Sequence, residues 1–377
     1  MLSLLFSIGI FVLVLSFLVL IHELGHFFAA KQVGITVKEF GLGYPPKAYK
    51  LFVWQGTEFS LNWIPFGGFV RMDGEEADPT KRNNQTKKGE FYAANLFQRL
   101  YVVLAGATVN FLFGILAFTI LFSWLGVPTP VDGARIGYIA PDSPAAQAGV
   151  PSSVRVIGFQ TNQAAEITLT ASPDQVIEFV GAHQGQEVVL VTTGDCVNST
   201  CQDAVAYYPV YLRTQAETPQ NEGSLGIAFD QIIFTHFPWW QTPWEATRYG
   251  VGESLALGGE ILKALSKLGT DLVQRGQLSS ELAGPVGIVH QAYTLGILNQ
   301  GFLMILSFAA MLSINLAIMN VLPITPLDGG KAFFTLLELF VARKHLFKME
   351  YWLSYGGYVG LMLLIVAITI RDVIRLF

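Results

Sequence analysis

Charge is what this chain has least of. Only 14% of its 377 residues are Asp, Glu, Lys or Arg, against roughly 25% in an ordinary soluble domain. Hydrophobic residues make up 52%, and the mean hydropathy is +0.46. That balance points to lipid as part of the solvent. Cysteine is scarcer still. Cys196 and Cys201 are the only two, which excludes a disulfide-built scaffold and a structural zinc site made of cysteines. The net charge of −5 excludes the basic surface that nucleic acid requires, so no such partner is expected. Lysine is missing altogether from Pro128 to Thr235, where Arg135, Arg155 and Arg213 are the only arginines. No Asp, Glu, Lys or Arg occurs between Ala283 and Leu327.

A helix that crosses the hydrocarbon core needs about 20 mostly apolar residues. Four stretches qualify: about 1–30, 100–127, 302–322 and 351–370. The first is uncharged from Met1 to Ile21 and runs straight into His22-Glu23-Leu24-Gly25-His26. No small-x-small cleavage site closes it, so it reads as a span rather than a removed leader. Lys and Arg crowd the loop between the first two spans and the loop between the last two. The positive-inside rule puts both loops in the cytoplasm. The lysine-free middle segment and both termini then fall outside.

The expected architecture is an α-helical polytopic membrane protein with two additions. Residues 1–127 form an N-terminal membrane region that includes a cytoplasmic β region at about 32–75. There, Leu51–Trp54 and Phe59–Trp63 read as short strands around Gln55-Gly56, and Ile64–Val70 reads as β-structure touching the membrane. Asp73–Glu90 is charged and reads as a mobile loop. Residues 128–230 read as an extracytoplasmic α+β domain, with strands at 188–192 and 206–212 and a helix at 173–183 capped by Ser172. Residues 231–377 form the C-terminal membrane region, opening with an amphipathic helix at about 243–275. Cys196 and Cys201 flank a hairpin tip. Outside the cytoplasm they are expected to pair as a disulfide, with two free thiols as the alternative.

His22-Glu23-Leu24-Gly25-His26 carries the chemistry. Residues four apart share one helix face, so two imidazoles can hold one metal. The glutamate beside the first can act as general base on water. The motif ends an apolar span, where ionisable groups are expensive and functional by default. Catalytic zinc takes three protein ligands and keeps one position open. His183, His236, His290 and His345 are poorly placed to be the third. Asp328 is well placed: it follows the third span, near the same inner face, among Pro323, Pro326, Gly329 and Gly330. The alternative for Asp328 is a helix-capping role. Asn320, Asn315 and Asn110 are polar groups in apolar spans. They are candidates for binding the substrate backbone or an oxyanion, or for plain interhelical hydrogen bonds.

These motifs resemble the site-2 protease family of intramembrane zinc metalloproteases, in its bacterial branch named for the regulator of sigma-E protease. The resemblance rests on His22–His26, on Asn320–Gly330 with Leu327-Asp328-Gly329, on Ile64–Val70 and on Gly284-Pro285-Val286-Gly287-Ile288. It implies one catalytic Zn2+ held by His22, His26 and Asp328, with Glu23 as base. It implies an extracytoplasmic PDZ-like domain that acts as a size filter. It implies single-pass membrane proteins as substrates, such as anti-sigma factors or remnant signal peptides, cut in an inner or plasma membrane near its cytoplasmic face. Two departures stand out. Gly106-Ala107-Thr108-Val109-Asn110 lacks the proline common before that asparagine, and Pro151-Ser152-Ser153-Val154 replaces a usual Gly-Asp pair. Rival readings are a membrane-anchored metalloprotease of another family, a metal transporter using intramembrane His, Glu and Asp, and a non-catalytic PDZ scaffold.

Overall fold

A computed structural model describes residues 2–75, 87–161, 167–170, 172–194, 196–197, 200–201, 204–275 and 284–376. Chain contacts divide it into two units: Met1–Leu121 with Thr247–Phe377, and Phe122–Ala246. The chain opens with α1 (Leu2–Gln32), uncharged throughout its first twenty residues. Next come β1 (Val37–Trp54) and β2 (Thr57–Met72), joined through Gln55 and Gly56 at φ 47° and 75°. Positive φ at both central residues is the tight-hairpin geometry that matches strand twist. β1 runs far beyond the Leu51–Trp54 strand expected, because its glycines and prolines bend the strand instead of ending it, while β2 takes in both Phe59–Trp63 and Ile64–Val70. The register shifts repeatedly, so Phe40 faces Val70 on one side and Phe59 on the other. Two strands thus make four legs, in the order 68–72, 37–42, 57–61 and 49–54. The 68–72 leg is an edge that no further strand joins among the described residues. Of the charged loop expected at Asp73–Glu90, residues 76–86 lie outside the described residues.

The helix α2 (Leu96–Leu125) returns through the apolar layer. Its first turn is anchored by Arg99, 1% exposed, which donates to both carboxylate oxygens of Glu338 at 2.7 and 2.6 Å. Two parallel hydrogen bonds engage both terminal nitrogens of a guanidinium that would otherwise be costlier to bury.

The second unit carries β3 (Val127–Pro130), β4 (Ala134–Ile139), α3 (Pro144–Gln147), β5 (Arg155–Thr161), β6 (Thr168–Leu169), α4 (Pro173–Ala182), β7 (Glu187–Thr193), β8 (Cys196–Val197), β9 (Thr200–Cys201), β10 (Val205–Tyr211), β11 (Ile227–Phe229) and β12 (Ile232–Thr235). The main sheet has the order β10-β7-β5-β4-β11, with β6 beside β5. Its core is Ile136, Phe159, Leu190 and Leu212, closed by Val176 and Phe179 of α4. Ser143 and Ser172 cap α3 and α4, each accepting a backbone N–H three residues on. Ser153 stands at φ 74°, a left-handed position that favours glycine. The backbones of Cys196 and Cys201 are partners across the β8–β9 ladder. Their side chains, and with them the expected disulfide, lie outside what is described.

The first unit resumes in α5 (Thr242–Arg275), whose Gly250 lies against Phe118 of α2. It continues with α6 (Pro285–Thr294), α7 (Phe302–Val321), α8 (Asp328–Leu337) and α9 (Arg343–Leu376). Asp372 of α9 is buried and accepts the Gly284 and Gly287 N–H groups at 2.8 and 2.9 Å, capping α6. That gives the Gly284–Gly287 stretch a structural partner that lies beyond the reach of sequence spacing. Among the described residues, four helices are long and apolar enough to cross a membrane: Phe6–Gln32, Leu96–Leu125, Phe302–Val321 and His345–Ile374.

Candidate metal centre

The site is assembled from three helix segments. His22 and His26 lie one turn apart on α1 and are buried at 7% and 6% exposure. Asp328 is the first residue of α8. Leu322, in extended conformation, ends α7, and the chain reverses through Pro323 to Pro326. Gly329 sits so near the last carbonyls of α7, Val321 and Leu322, that a Cβ there has no room. The glycine thus lets α8 start against the end of α7 and sets Asp328 before the histidines.

The three donor atoms converge. His22 Nε2 is 2.9 Å from Asp328 Oδ2, His26 Nε2 is 3.1 Å from the same oxygen, and the two Nε2 atoms are 3.1 Å apart. Ligands at 2.0–2.1 Å around a tetrahedral centre stand roughly 3.3 Å apart, so this trio is within a few tenths of an ångström of a zinc triad. The donor set, two imidazoles and one carboxylate, also suits zinc and leaves a fourth position open. Opposite the imidazoles, Gly106 of α2 keeps the space clear. A Cβ there would stand 2.5 Å from His26 Nε2 and 2.7 Å from His22 Nε2. Gly25 allows the same close approach from the other side, since a Cβ there would meet the Ala105 carbonyl oxygen at 2.7 Å.

Glu23 is half-buried and opens, with His26 and Asp328, on a cavity of about 140 Å³. Since one water needs roughly 10–15 Å³ of such volume, the cavity admits water and a peptide group. The same cavity is lined by Gly68, Phe69 and Val70 of the edge leg, and by Tyr44 and Lys331. A Cβ on Gly68 would lie 3.7 Å from Glu23 Cγ, so the sheet edge passes directly over the glutamate. Lys331 donates to Glu75 at 2.6 Å. The charge of Glu75 holds its ammonium pKa above the usual range, against the effect of burial. Burial alone would raise the Asp328 pKa. Hydrogen bonds from His22 and His26, with the charges of His26 and Lys331, hold it well below the usual carboxylate range instead.

None of the three candidate asparagines lines this cavity. Asn315 and Asn320 are half-buried on α7. Asn110 is fully buried, with its amide 3.5 Å from His22 Nδ1, behind the imidazole rather than on the substrate side. Tyr44, Lys331, Glu75 and the Val102 carbonyl were not singled out from sequence. Only Lys331 left a signal there, one turn after Asp328.

Membrane-length helices around a His, His and carboxylate cluster, with a glutamate facing a cavity that admits water, define a membrane metalloprotease. The model of peptidase family M50 matches residues 10–364, and the chain belongs to that family. It is 29% identical to the regulator of sigma E protease of Haemophilus influenzae, over 89% of this chain and 91% of that protein. It is 27% identical to the zinc metalloprotease RasP of Geobacillus kaustophilus, over 98% of both chains. Membership makes this protein a membrane-embedded metalloprotease of the site-2 type, with Zn2+ as its cofactor and the lipid bilayer as its surroundings.

Proposed function

We propose that this protein hydrolyses peptide bonds in or beside the membrane segments of single-pass membrane proteins. His22, His26 and Asp328 hold one Zn2+, and Glu23 is the catalytic base. When bound, the zinc supplies Lewis-acid activation of water and of the scissile carbonyl. Glu23 takes a proton from the attacking water and passes it to the leaving amine as the C–N bond breaks. The observation that carries this reading is the shared cavity, in which Glu23, His26 and Asp328 face the Gly68–Val70 edge. A helical substrate hides its peptide bonds. One that unwinds can add as a strand to the open edge, which brings its backbone to Glu23. Asn320 and Asn315 remain candidates for holding that backbone deeper in the site.

The placement of basic loops supports an active site near the cytoplasmic face of the inner or plasma membrane, with both termini and the 128–230 domain outside. A PDZ-like character for that domain is supported by the groove of about 350 Å³ that α4 forms with residues 222–227 and β11, an edge strand. Its role would be to admit substrates whose outer segments are short, with trimmed anti-sigma factors and remnant signal peptides fitting that description.

The test is purification of wild type and Glu23→Gln in detergent, with zinc measured in both before incubation with a single-span model substrate. About one zinc per chain in both, with cleavage by wild type alone, is the expected result. Equal cleavage by both proteins would sink the mechanism. Metal flux into liposomes without any cleavage would favour a transporter.

A further inference from the structure

The outer nitrogens of the two histidines face one stripe of α2. Val102, Gly106 and Asn110 are spaced four residues apart and so share a face of that helix. His26 Nδ1 is 2.8 Å from the Val102 carbonyl oxygen, which can only accept. With a metal bound, that contact puts the proton of His26 on Nδ1 and leaves the Nε2 lone pair for the metal. His22 must be held in the same tautomer if its Nε2 is to bind a metal, and its Nδ1–H then needs an acceptor. The side chain in reach is Asn110, with an amide atom at 3.5 Å and the other amide end, Oδ1, buried and without a hydrogen bond among the described residues.

We infer that Asn110 is the positioning residue for His22: its amide oxygen accepts the His22 Nδ1–H, fixing Nε2 as the metal-binding nitrogen. An amide nitrogen placed against that N–H would set two donors face to face. The two ends of an amide are alike in shape, and the hydrogen-bond network decides which end points where. A metal-bound imidazole is a strong donor, so the oxygen belongs on its side. Asn110 is itself held in place. Its backbone carbonyl accepts the hydroxyl of Ser313 at 2.8 Å, and Ser313 is fully buried on α7. One turn further along α2, Gly114 packs against Ile314 of α7 with no room for a Cβ. The helix that leads into Asp328 therefore also fixes the residue behind His22.

This rests on the assignment of His22, His26 and Asp328 as zinc ligands. It makes α2 a support for both imidazoles, and it removes Asn110 from the groups that touch substrate. Partners that orient a metal-binding histidine are worth about 10–100-fold in metal affinity. The experiment is chelator competition on the full-length protein in detergent, comparing wild type, Asn110→Asp and Asn110→Leu, with thermal unfolding of each metal-free protein as a control. Asn110→Leu keeps the volume and loses the acceptor; it should hold zinc about 10–100-fold more weakly. Asn110→Asp keeps an acceptor and should stay within a few-fold of wild type. Wild-type zinc affinity in Asn110→Leu, with cleavage lost, would overturn the inference and return Asn110 to the substrate. A wild type that binds no zinc, or keeps it in His22→Ala, would overturn the ligand assignment as well. A second measurement needs no variant. In zinc-loaded wild type labelled with 15N-histidine, His22 should carry its proton on Nδ1, and a proton on Nε2 would overturn the inference.

Discussion

In Phe122–Ala246, Phe159, Leu190 and Leu212 are wholly buried, and the helix α4 turns its polar residues outward. The other unit has buried apolar clusters too, yet it also turns large apolar residues outward and encloses polar ones. Leu13 is 69% exposed, Leu363 66% and Ile374 69%, while His22, His26, Asn110, Arg99 and Ser313 are buried. The first pattern is that of a domain built against water, where removing apolar surface from solvent supplies the main driving force. The second is that of helices built against lipid, where apolar contact between helices gains little. Close approach at small residues and interhelical hydrogen bonds then hold the bundle together. Gly25 against Ala105, Gly106 against the histidines and Ser313 on the Asn110 carbonyl are such contacts. The comparison teaches that many buried polar groups of the membrane unit engage one another across helices. Changing one should act on the metal or its neighbours, whereas changing a core residue of the other unit should act on stability.

The largest expected effect is on the membrane side. Asp328→Ala removes one donor of the trio and leaves two histidines, too few for a catalytic zinc. Metal analysis should show zinc lost and cleavage lost with it, while unfolding of the Phe122–Ala246 unit stays unchanged. Retained zinc would return Asp328 to a helix-start role and the third ligand would have to be sought elsewhere.

Next is the converse substitution. Leu190 is fully buried in the sheet core of the second unit. Leu190→Ala should destabilise that unit by about 2–5 kcal/mol, as cavity-forming core substitutions do. Its thermal transition should fall while zinc content is unchanged. If zinc is lost instead, the two units fold as one cooperative system and the comparison fails.

How much of this was readable beforehand follows the same division. The four spans are legible because long uncharged runs have few other uses, and His22–His26 because four residues make one helical turn. Asp328 stands out as the first acidic residue after Glu281, directly behind the third span among prolines and glycines. The four-legged sheet is not legible. Gly41, Gly43, Pro45 and Pro46 lie outside the short strands expected from sequence, yet they sit within β1, where bends let two strands pair twice. The place of Asn110 was hidden for another reason. Which face of α2 meets α1 depends on helix packing, and an asparagine in an apolar span looks alike on every face.

The smallest effect sharpens the comparison inside the membrane unit, on the β region that links α1 and α2. Glu39 is 3% exposed, and its carboxylate accepts from Ser60 at 2.8 Å and from Arg71 at 2.6 Å, with the Lys47 ammonium 2.8 Å away. Burial by itself would raise its pKa. The hydrogen bonds from Lys47 and Ser60 and the charges of Arg71 and Lys47 outweigh that, so the folded value lies below the ordinary 4.5. A depressed carboxylate pKa means that the unfolded state binds the proton more readily. The stabilisation is therefore complete above about pH 4.5 and is lost as the pH falls through the folded value. Hydrogen exchange on residues 37–72 should show the legs losing protection below that pH in wild type. In Glu39→Gln the legs should exchange faster at neutral pH, with little further change on acidification. An unchanged acid profile in the variant would assign the sensitivity to another carboxylate. Because Glu39 is on the leg paired with 68–72, cleavage should weaken over the same pH range if that edge is where substrate is held.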